Sequence, residues 1–451
     1  MVFSRSLRLG VMALVMCSVP ALAHAETMRE ALTSAYRNSP DLLSAYLDVK
    51  LAAEGIVSAK SAKLPTIGAT LNTTQAYTPG SPLDLPSISG GVNYSQRLFD
   101  NYATEARIES ARAGAEAKRY ALQSAEQKLF LDVVTAYMAV LTNTQLAQLR
   151  QENVTFYQAQ VKSAKDRLEI GEGTKIDVSQ AEARLAQGTA SYQSALASLE
   201  VSRATYERLV GHAPKNLSMT YRLGTLLPTS LERAINEAMS AHPAIFAAQA
   251  GVRAAQAGAD AASASFGPTL DLSAGVNSTF YSPSPTWSGP TPSASVSLSL
   301  RVPIYQGGAL GAGVRSANIS QMKSEGAALS ARDQIKEAVI SSWSALRNAQ
   351  AAIDSANTAV ASGELALEGV VQSRDVGQST TLDVLNAQSE LTSIREGLIQ
   401  ATQGKVLASF QLVAATGHLT AADLGLAVEI KTGEDYIAKA EDVWQELRAL
   451  D

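Results

Sequence analysis

The chain has 451 residues, of which 46% are hydrophobic and 18% charged, and its formal net charge is −5. That balance excludes a disordered chain and an all-apolar membrane bundle, and the length allows more than one ordinary domain. A mildly acidic chain has no electrostatic basis for binding nucleic acid.

Residues 1–25 read as a secretory signal peptide. Arg5 and Arg8 form a basic start, LGVMALVMCSVPALA is the apolar stretch, and Ala23-His24-Ala25 is a small-x-small cleavage site, with cleavage expected after Ala25. The stretch is too short, and its flanks are wrong, for a lasting transmembrane helix. The single cysteine, Cys17, lies inside it. Lipidation of Cys17 is the alternative, but Met16 is not the small residue that such a site wants. Processing then leaves no cysteine, which excludes disulfides, thiol catalysis and Cys-ligated metals. No later run has about 18 consecutive apolar residues, so an exported chain of this kind is either soluble or an outer-membrane β-barrel.

The mature chain reads as two tandem repeats, 26–228 and 229–418, followed by a segment over 419–451. Pro40 and Pro65 match Pro243 and Pro268 at a shift of 203. After the next loop the shift becomes 206: Leu98-Phe99 matches Ile304-Tyr305, and Gly211-His212 matches Gly417-His418. Each half opens with a helical stretch, EALTSAYRNSP in the first and ERAINEAMSAHP in the second. The period then falls from 3.6 to 2 over about 66–78 and 88–99, and again over about 269–281 and 293–304. SASVSLSLRV is the clearest case: Ala294, Val296, Leu298, Leu300 and Val302 oppose Ser293, Ser295, Ser297, Ser299 and Arg301. A soluble sandwich with one wet face is the alternative, but four strands are few for a free-standing sheet, and strands of this length with a uniformly small, polar second face fit an outer-membrane barrel with a wet lumen better. Four strands cannot close a barrel, and lipid does not tolerate an open edge, so the barrel must be shared among chains. Twelve strands from three chains can leave a pore, whereas eight would be filled by side chains.

Long proline-free segments follow each strand pair. They predict a long helix over about 101–168 and a shorter one over about 175–211, then their copies over about 308–374 and 381–416. Leu122, Ala125, Leu129, Val133, Ala136 and Val140 step by three or four along the first long helix. Helices of that length survive by packing side by side as coiled coils. The fold class is therefore a membrane β-barrel joined to a long α-helical coiled-coil barrel, with four strands per chain and twelve in a trimer.

Between the helices of each hairpin sits a small acid-bearing turn, IGEGTKIDV at 170–178 and VGQSTTLDV at 376–384. Gly171 and Gly377 are 206 residues apart, and so are Asp177 and Asp383. An acid in the first turn of a helix suits the helix dipole, and this bland reading stands beside a functional one for both aspartates. Tyr137 and Trp343 read as seam packing, and His212 and His418 as surface residues. No metal spacing, catalytic triad, phosphate loop or dinucleotide fingerprint stands out, so neither an enzyme nor a cofactor is expected.

Together the paired helical openings, the KLP and FGP entries to strands, the RLFD and PIYQGG exits and the duplicated turns resemble the TolC family of outer-membrane channels. The resemblance spans the mature chain and is weakest after about Leu419. It implies a homotrimeric tunnel with its barrel in outer-membrane lipid and a helical tube crossing the periplasm. It also implies a periplasmic adaptor (membrane fusion protein) and an inner-membrane ABC or RND-type transporter as partners. Gly171, Glu172 and Gly173, with Gly377, Gln378 and Ser379, would be the tip turns that meet the adaptor. Asp383 would be the pore-facing acid, and Asn386 stands at the next acid position of the family. Asp177 would tie the gate, with Arg374 at its usual aromatic partner position and Ser379 at its usual arginine position. Arg374, from the same chain or a neighbour, is the expected partner of Asp177. The segments after each half would form a belt midway along the helical tube. GQSTTLDVLNAQSEL resembles the type I protein secretion branch more than the drug or metal efflux branch. A coiled-coil stalk with a membrane anchor is the competing class.

Overall fold

In a computed structural model, residues 25–75, 79, 86–219, 221, 223–281 and 289–441 are described. Nearly all of the expected signal peptide, Cys17 included, most of both strand-connecting loops, Thr220, Arg222 and the last ten residues lie outside them. The leading stretch of each half is two helices, where the sequence suggested one. These are α1 (Met28–Asn38) and α2 (Pro40–Ser61), then α5 (Leu231–Ala241) and α6 (Pro243–Ala264). Proline at the first position of α2 and α6 holds the preceding Ser39 and His242 in extended backbone, so the helix restarts in a new direction.

The strands are β1 (Thr66–Thr74), β2 (Ser87–Phe99), β3 (Thr269–Tyr281) and β4 (Thr291–Arg301), and they form one antiparallel sheet in the order β1-β2-β3-β4. The fourth strand stops at Arg301, before Pro303, which has no N–H for the ladder. The repeat extends to register. Ala69 faces Val92 in the first hairpin, and their counterparts Leu272 and Leu298 face each other in the second. The exits match too: Asn101 and Tyr102 take left-handed backbone after β2, and Gly307 and Gly308 take it after β4. Ile67, Leu71, Val296, Leu298 and Leu300 project from the sheet well exposed in the single chain.

Two helices of 67 residues each, α3 (Ala103–Glu169) and α7 (Ala309–Asp375), run from the sheet to the tips. At 1.5 Å per residue each is about 100 Å long. One 18-residue window of α3 is apolar enough to cross a membrane, and half of that window is buried within the fold. The returning helices are α4 (Lys175–Val210) and α8 (Thr381–Ala415). Laterally α2 packs on α3, α3 on α6 and α6 on α7, while α4 pairs with α3 and α8 with α7. The predicted seam residues Leu122, Leu129, Val133, Ala136 and Val140 are buried. Tyr137 does more than pack: its hydroxyl lies 2.7 Å from the carbonyl oxygens of Glu26 and Ser218, so the segment just before α1 is tied to the linker after α4. His212, half-exposed, stands 3.5 Å from the Glu26 carboxylate.

The chain after α8 crosses the middle of the helices as a strap, and its last described element is a short helix, α9 (Glu434–Glu441). Leu419, Ala421 and Leu426 enter the main core. Arg29 donates to the Leu424 carbonyl at 2.6 Å, the Lys431 N–H donates to the Tyr36 hydroxyl at 2.9 Å, and the Ala421 N–H donates to buried Glu126 at 2.5 Å. Burial pushes the Glu126 carboxyl up to about 7, against the smaller lowering effect of the Ala421 N–H. The folded value thus lies above the unfolded one. Stability is full below about 4.5 and falls as pH rises from there to about 7, because only the unfolded chain ionises within that window. Glu126→Gln keeps an acceptor for Ala421 and should flatten this dependence, adding on the order of 2 kcal/mol at pH 8 and little at pH 4. Thermal unfolding in detergent at the two pH values checks it. An equal effect at both would refute the role of ionisation.

Candidate functional site at the paired helical turns

Both turns are built twice from the same local rules. At the end of α3 the Gly171 N–H donates to Leu168 O at 3.2 Å and the Glu172 N–H to Arg167 O at 2.9 Å. At the end of α7 the Gly377 N–H donates to Arg374 O at 3.0 Å and the Gln378 N–H to Ser373 O at 2.8 Å. This paired closure of a helix C-terminus needs a left-handed residue, and φ is +83° at Gly171 and +78° at Gly377. Gly173 packs so closely on the last turn of α3 that a Cβ there would lie 3.1 Å from Leu168 N. Glu172 and Gln378 are exposed and Ser379 is half-buried.

The chain re-enters helix through a reciprocal cap. Asp177 accepts from the Thr174 N–H at 2.9 Å and hydroxyl at 2.6 Å, while its own N–H donates back to Thr174 Oγ1 at 3.2 Å. Asp383 does the same with Thr380, at 2.8, 2.7 and 3.2 Å. The Thr174 hydroxyl, then its N–H, holds the Asp177 carboxyl below the ordinary carboxylate range. The Thr380 N–H, then its hydroxyl, does so for Asp383. Both acids are therefore charged at neutral pH, and both cap a helix, as the bland reading expected.

Within one chain Arg374 does not meet Asp177. Its side chain is 12% exposed and is held by Asp375 at 2.7 Å and by Gln160 Oε1, on α3, at 2.7 Å. Asp375 is its neighbour on α7 and Gln160 reaches it from α3, whereas Asp177 is occupied by its own cap. Asn386, exposed, accepts from Arg184 Nη2 at 2.8 Å.

Spacing did not disclose the links between the two hairpins. Arg150 on α3 grips Glu396 on α8 with two nitrogens, at 2.8 and 3.4 Å, and reaches Ser191 O on α4 at 3.2 Å. Gln388 on α8 donates to Asn153 on α3 at 3.1 Å. Below these, Leu385 is buried among Tyr157, Val161, Ala164 and Ala181. The Gln160–Arg374, Arg184–Asn386, Asn153–Gln388 and Arg150–Glu396 contacts thus join the α3/α4 hairpin to α7/α8 by polar bonds around a small apolar plug. Each turn also exposes two aliphatics at matched positions, Ile170 and Ile176 on the first, Val376 and Leu382 on the second. The shift of 206 carries one pair onto the other, a signal that the sequence held.

A family profile described as "Outer membrane efflux protein" matches residues 31–212 and 234–418, one match per half. The chain belongs to the outer membrane efflux protein family, the TolC family of outer-membrane channels. Among its relatives is the outer membrane efflux protein BepC of Brucella suis biovar 1, 34% identical over 431 residues, covering 95% of this chain and 93% of that one. The alkaline protease secretion protein AprF of Pseudomonas aeruginosa is 26% identical over 368 residues, 78% of this chain and 74% of its own. Among solved structures, the Campylobacter jejuni CmeC outer membrane channel superposes with a TM-score of 0.78 at 14% identity, covering 93% of this chain and 90% of that one. The family is one of outer-membrane channels, and its fold, tandem repeats included, is the one described above.

Proposed function

We propose that three copies of the chain form a passive outer-membrane exit duct, opened from the periplasm by an adaptor and an inner-membrane transporter. One observation carries this reading: the sheet ends in two bare edges that the internal repeat is shaped to join. The β2–β3 pairing places Tyr94 opposite Ala274 and Val92 opposite Val276. Moved by the repeat shifts, the same pairing sets Leu300 of β4 opposite Leu71, and Leu298 opposite Thr73, on β1 of the next chain. The helices supply a second seam. Tyr120 stacks near Phe246 across α3 and α6, ring centres 5.2 Å apart. The matched positions are Gly326 on α7 and Leu43 on α2, and nothing lies within 4 Å of a Cβ at Gly326 in the single chain. Leu43, Leu47 and Leu51 form an exposed stripe that a neighbour's α7 would cover.

The test is a paired-cysteine variant, Leu71→Cys with Leu300→Cys, in the otherwise cysteine-free mature chain. Oxidation should give covalent trimers, while Leu71→Cys with Leu298→Cys, two residues out of register, should not, since diagonal pairs sit about 7–8 Å apart. Equal cross-linking of both pairs would refute this closure. Pores formed by the purified trimer in planar bilayers separate a duct from a stalk.

At the other end, the exposed aliphatics and glycine turns suit an adaptor's helical hairpin. The inter-hairpin links suit a latch that holds the mouth shut, and three Asp383 carboxylates would ring it and favour cations. An Arg374–Asp177 bond between neighbouring chains remains part of this proposal. Type I protein secretion is the favoured use, from the second turn's likeness to that branch and from the relationship to AprF. Drug or metal efflux is the second reading, favoured by the higher identity to BepC.

A further inference from the structure

The described strands carry three charged side chains: Arg97 on β2, Asp271 on β3 and Arg301 on β4. All three lie on the small polar face, at the end of the sheet nearest the helices. Arg97 and Asp271 pair directly across the ladder, 2.9 Å apart. Arg301 faces Thr269 and has no hydrogen-bond or ion-pair partner among the described residues. The nearby acids are engaged: Asp271 with Arg97, Glu105 with Lys63 at 2.7 Å, and Asp100 with the Thr104 N–H at 2.9 Å and hydroxyl.

The repeat explains why this charge has no counter-ion. The first-half counterpart of Asp271 is Gly68, and β1 contains no charged residue. Across the chain-to-chain seam set out above, the Ser95–Ser273 pairing becomes Arg301 opposite Thr70. An acid is therefore missing on the one side where a neighbour could bring it. Above Arg301 the face continues as Ser299, Ser297, Ser295 and Ser293, neutral along the described strand.

We infer that three Arg301 side chains form a cationic collar at the inner end of the barrel lumen, which binds multivalent anions such as phosphate- or carboxylate-bearing groups on the cargo. This rests on the trimeric channel reading. Strands about 4.8 Å apart and tilted about 40° give a twelve-stranded barrel a backbone radius of about 12 Å. An arginine reaching inward from that wall brings the three charges to within about one Debye length of each other. The anion class follows from the guanidinium, which matches oxyanions with a rigid fork of donors. The duct then has two charged levels of opposite sign: the acids at the tip and the collar at the foot of the barrel.

The experiment uses full-length trimers in planar bilayers at low salt, with inorganic tripolyphosphate added from the side of the strand-connecting loops. Wild-type current should be blocked, and Arg301→Ser, which extends the serine face, should weaken the block by about tenfold or more. Arg301→Gln provides a second neutral variant. Arg301→Glu should lose anion block entirely. Unchanged tripolyphosphate block in trimeric Arg301→Ser and Arg301→Gln overturns the collar while leaving the channel intact. Failure of wild-type trimers to conduct at all overturns the channel reading, and the collar with it.

Discussion

Replacing Gly417 with valine should prevent the chain from reaching its folded, assembled state, and Gly417→Ala should cost more than about 4 kcal/mol. Two effects add. Gly417 closes α8 with φ +88°, a conformation that costs an L side chain about 1–2 kcal/mol. A Cβ there would also stand 2.9 Å from His242 Cα, 3.1 Å from Ala241 O and 3.2 Å from Ala241 C. Those are backbone atoms at the α5–α6 junction, so nothing flexible can move aside. The site is central: Thr416 and Leu419 are fully buried, and Gln127 donates to the Gly417 carbonyl at 2.7 Å. The tip glycines make the control. Gly171 and Gly377 share the left-handed backbone but have open space where a Cβ would go, so Gly171→Ala and Gly377→Ala should cost only about 1–2 kcal/mol. Trimer yield and thermal unfolding in detergent read both. A Gly417→Ala protein as stable as Gly171→Ala would show that the junction yields.

The second large effect is expected at Arg150. It ties α3, α4 and α8 together, and both it and Glu396 are about three-quarters buried as side chains. Arg150→Ala leaves the Glu396 carboxylate without its cation in a half-dry site. If this bond helps to latch the mouth, its loss should shift the resting balance toward open by about 1.5–3 kcal/mol, or roughly ten- to a hundredfold. Closed-state conductance in planar bilayers would rise accordingly, while Arg150→Ala with Glu396→Ala recovers stability but stays leaky. Arg233→Ala, which breaks an exposed pair within α5, is the control and should change neither quantity. Arg374→Ala should have a smaller effect than Arg150→Ala, because its link between hairpins ends on a neutral glutamine. Conductance of Arg150→Ala no higher than that of Arg233→Ala would remove this bond from the latch.

Much of the architecture was legible because it rests on local rules applied twice. Helix and strand periods, prolines before α2 and α6, glycines after α3 and α7, and Thr-x-x-Asp after each turn act within a few residues. The duplication then checked each reading against its copy. Even the unread features of the turns, the exposed Ile170, Ile176, Val376 and Leu382, were available by the same comparison.

The polar links were a different matter. Arg150 and Glu396 are 246 residues apart, and nothing in their spacing singles them out among the charged residues of four long helices. The expected Arg374–Asp177 contact shows the same limit. Both residues lie at the tips, but a two-residue shift in helical phase turns a guanidinium by about half a turn, and here it faces Gln160. By itself the sequence determined the elements, their order and the repeat, since those follow from periodicity and backbone preference over short spans. Only the tertiary structure decided which side chains meet between hairpins, because that depends on the relative rotation of helices about 100 Å long, which the packing of all of them sets together.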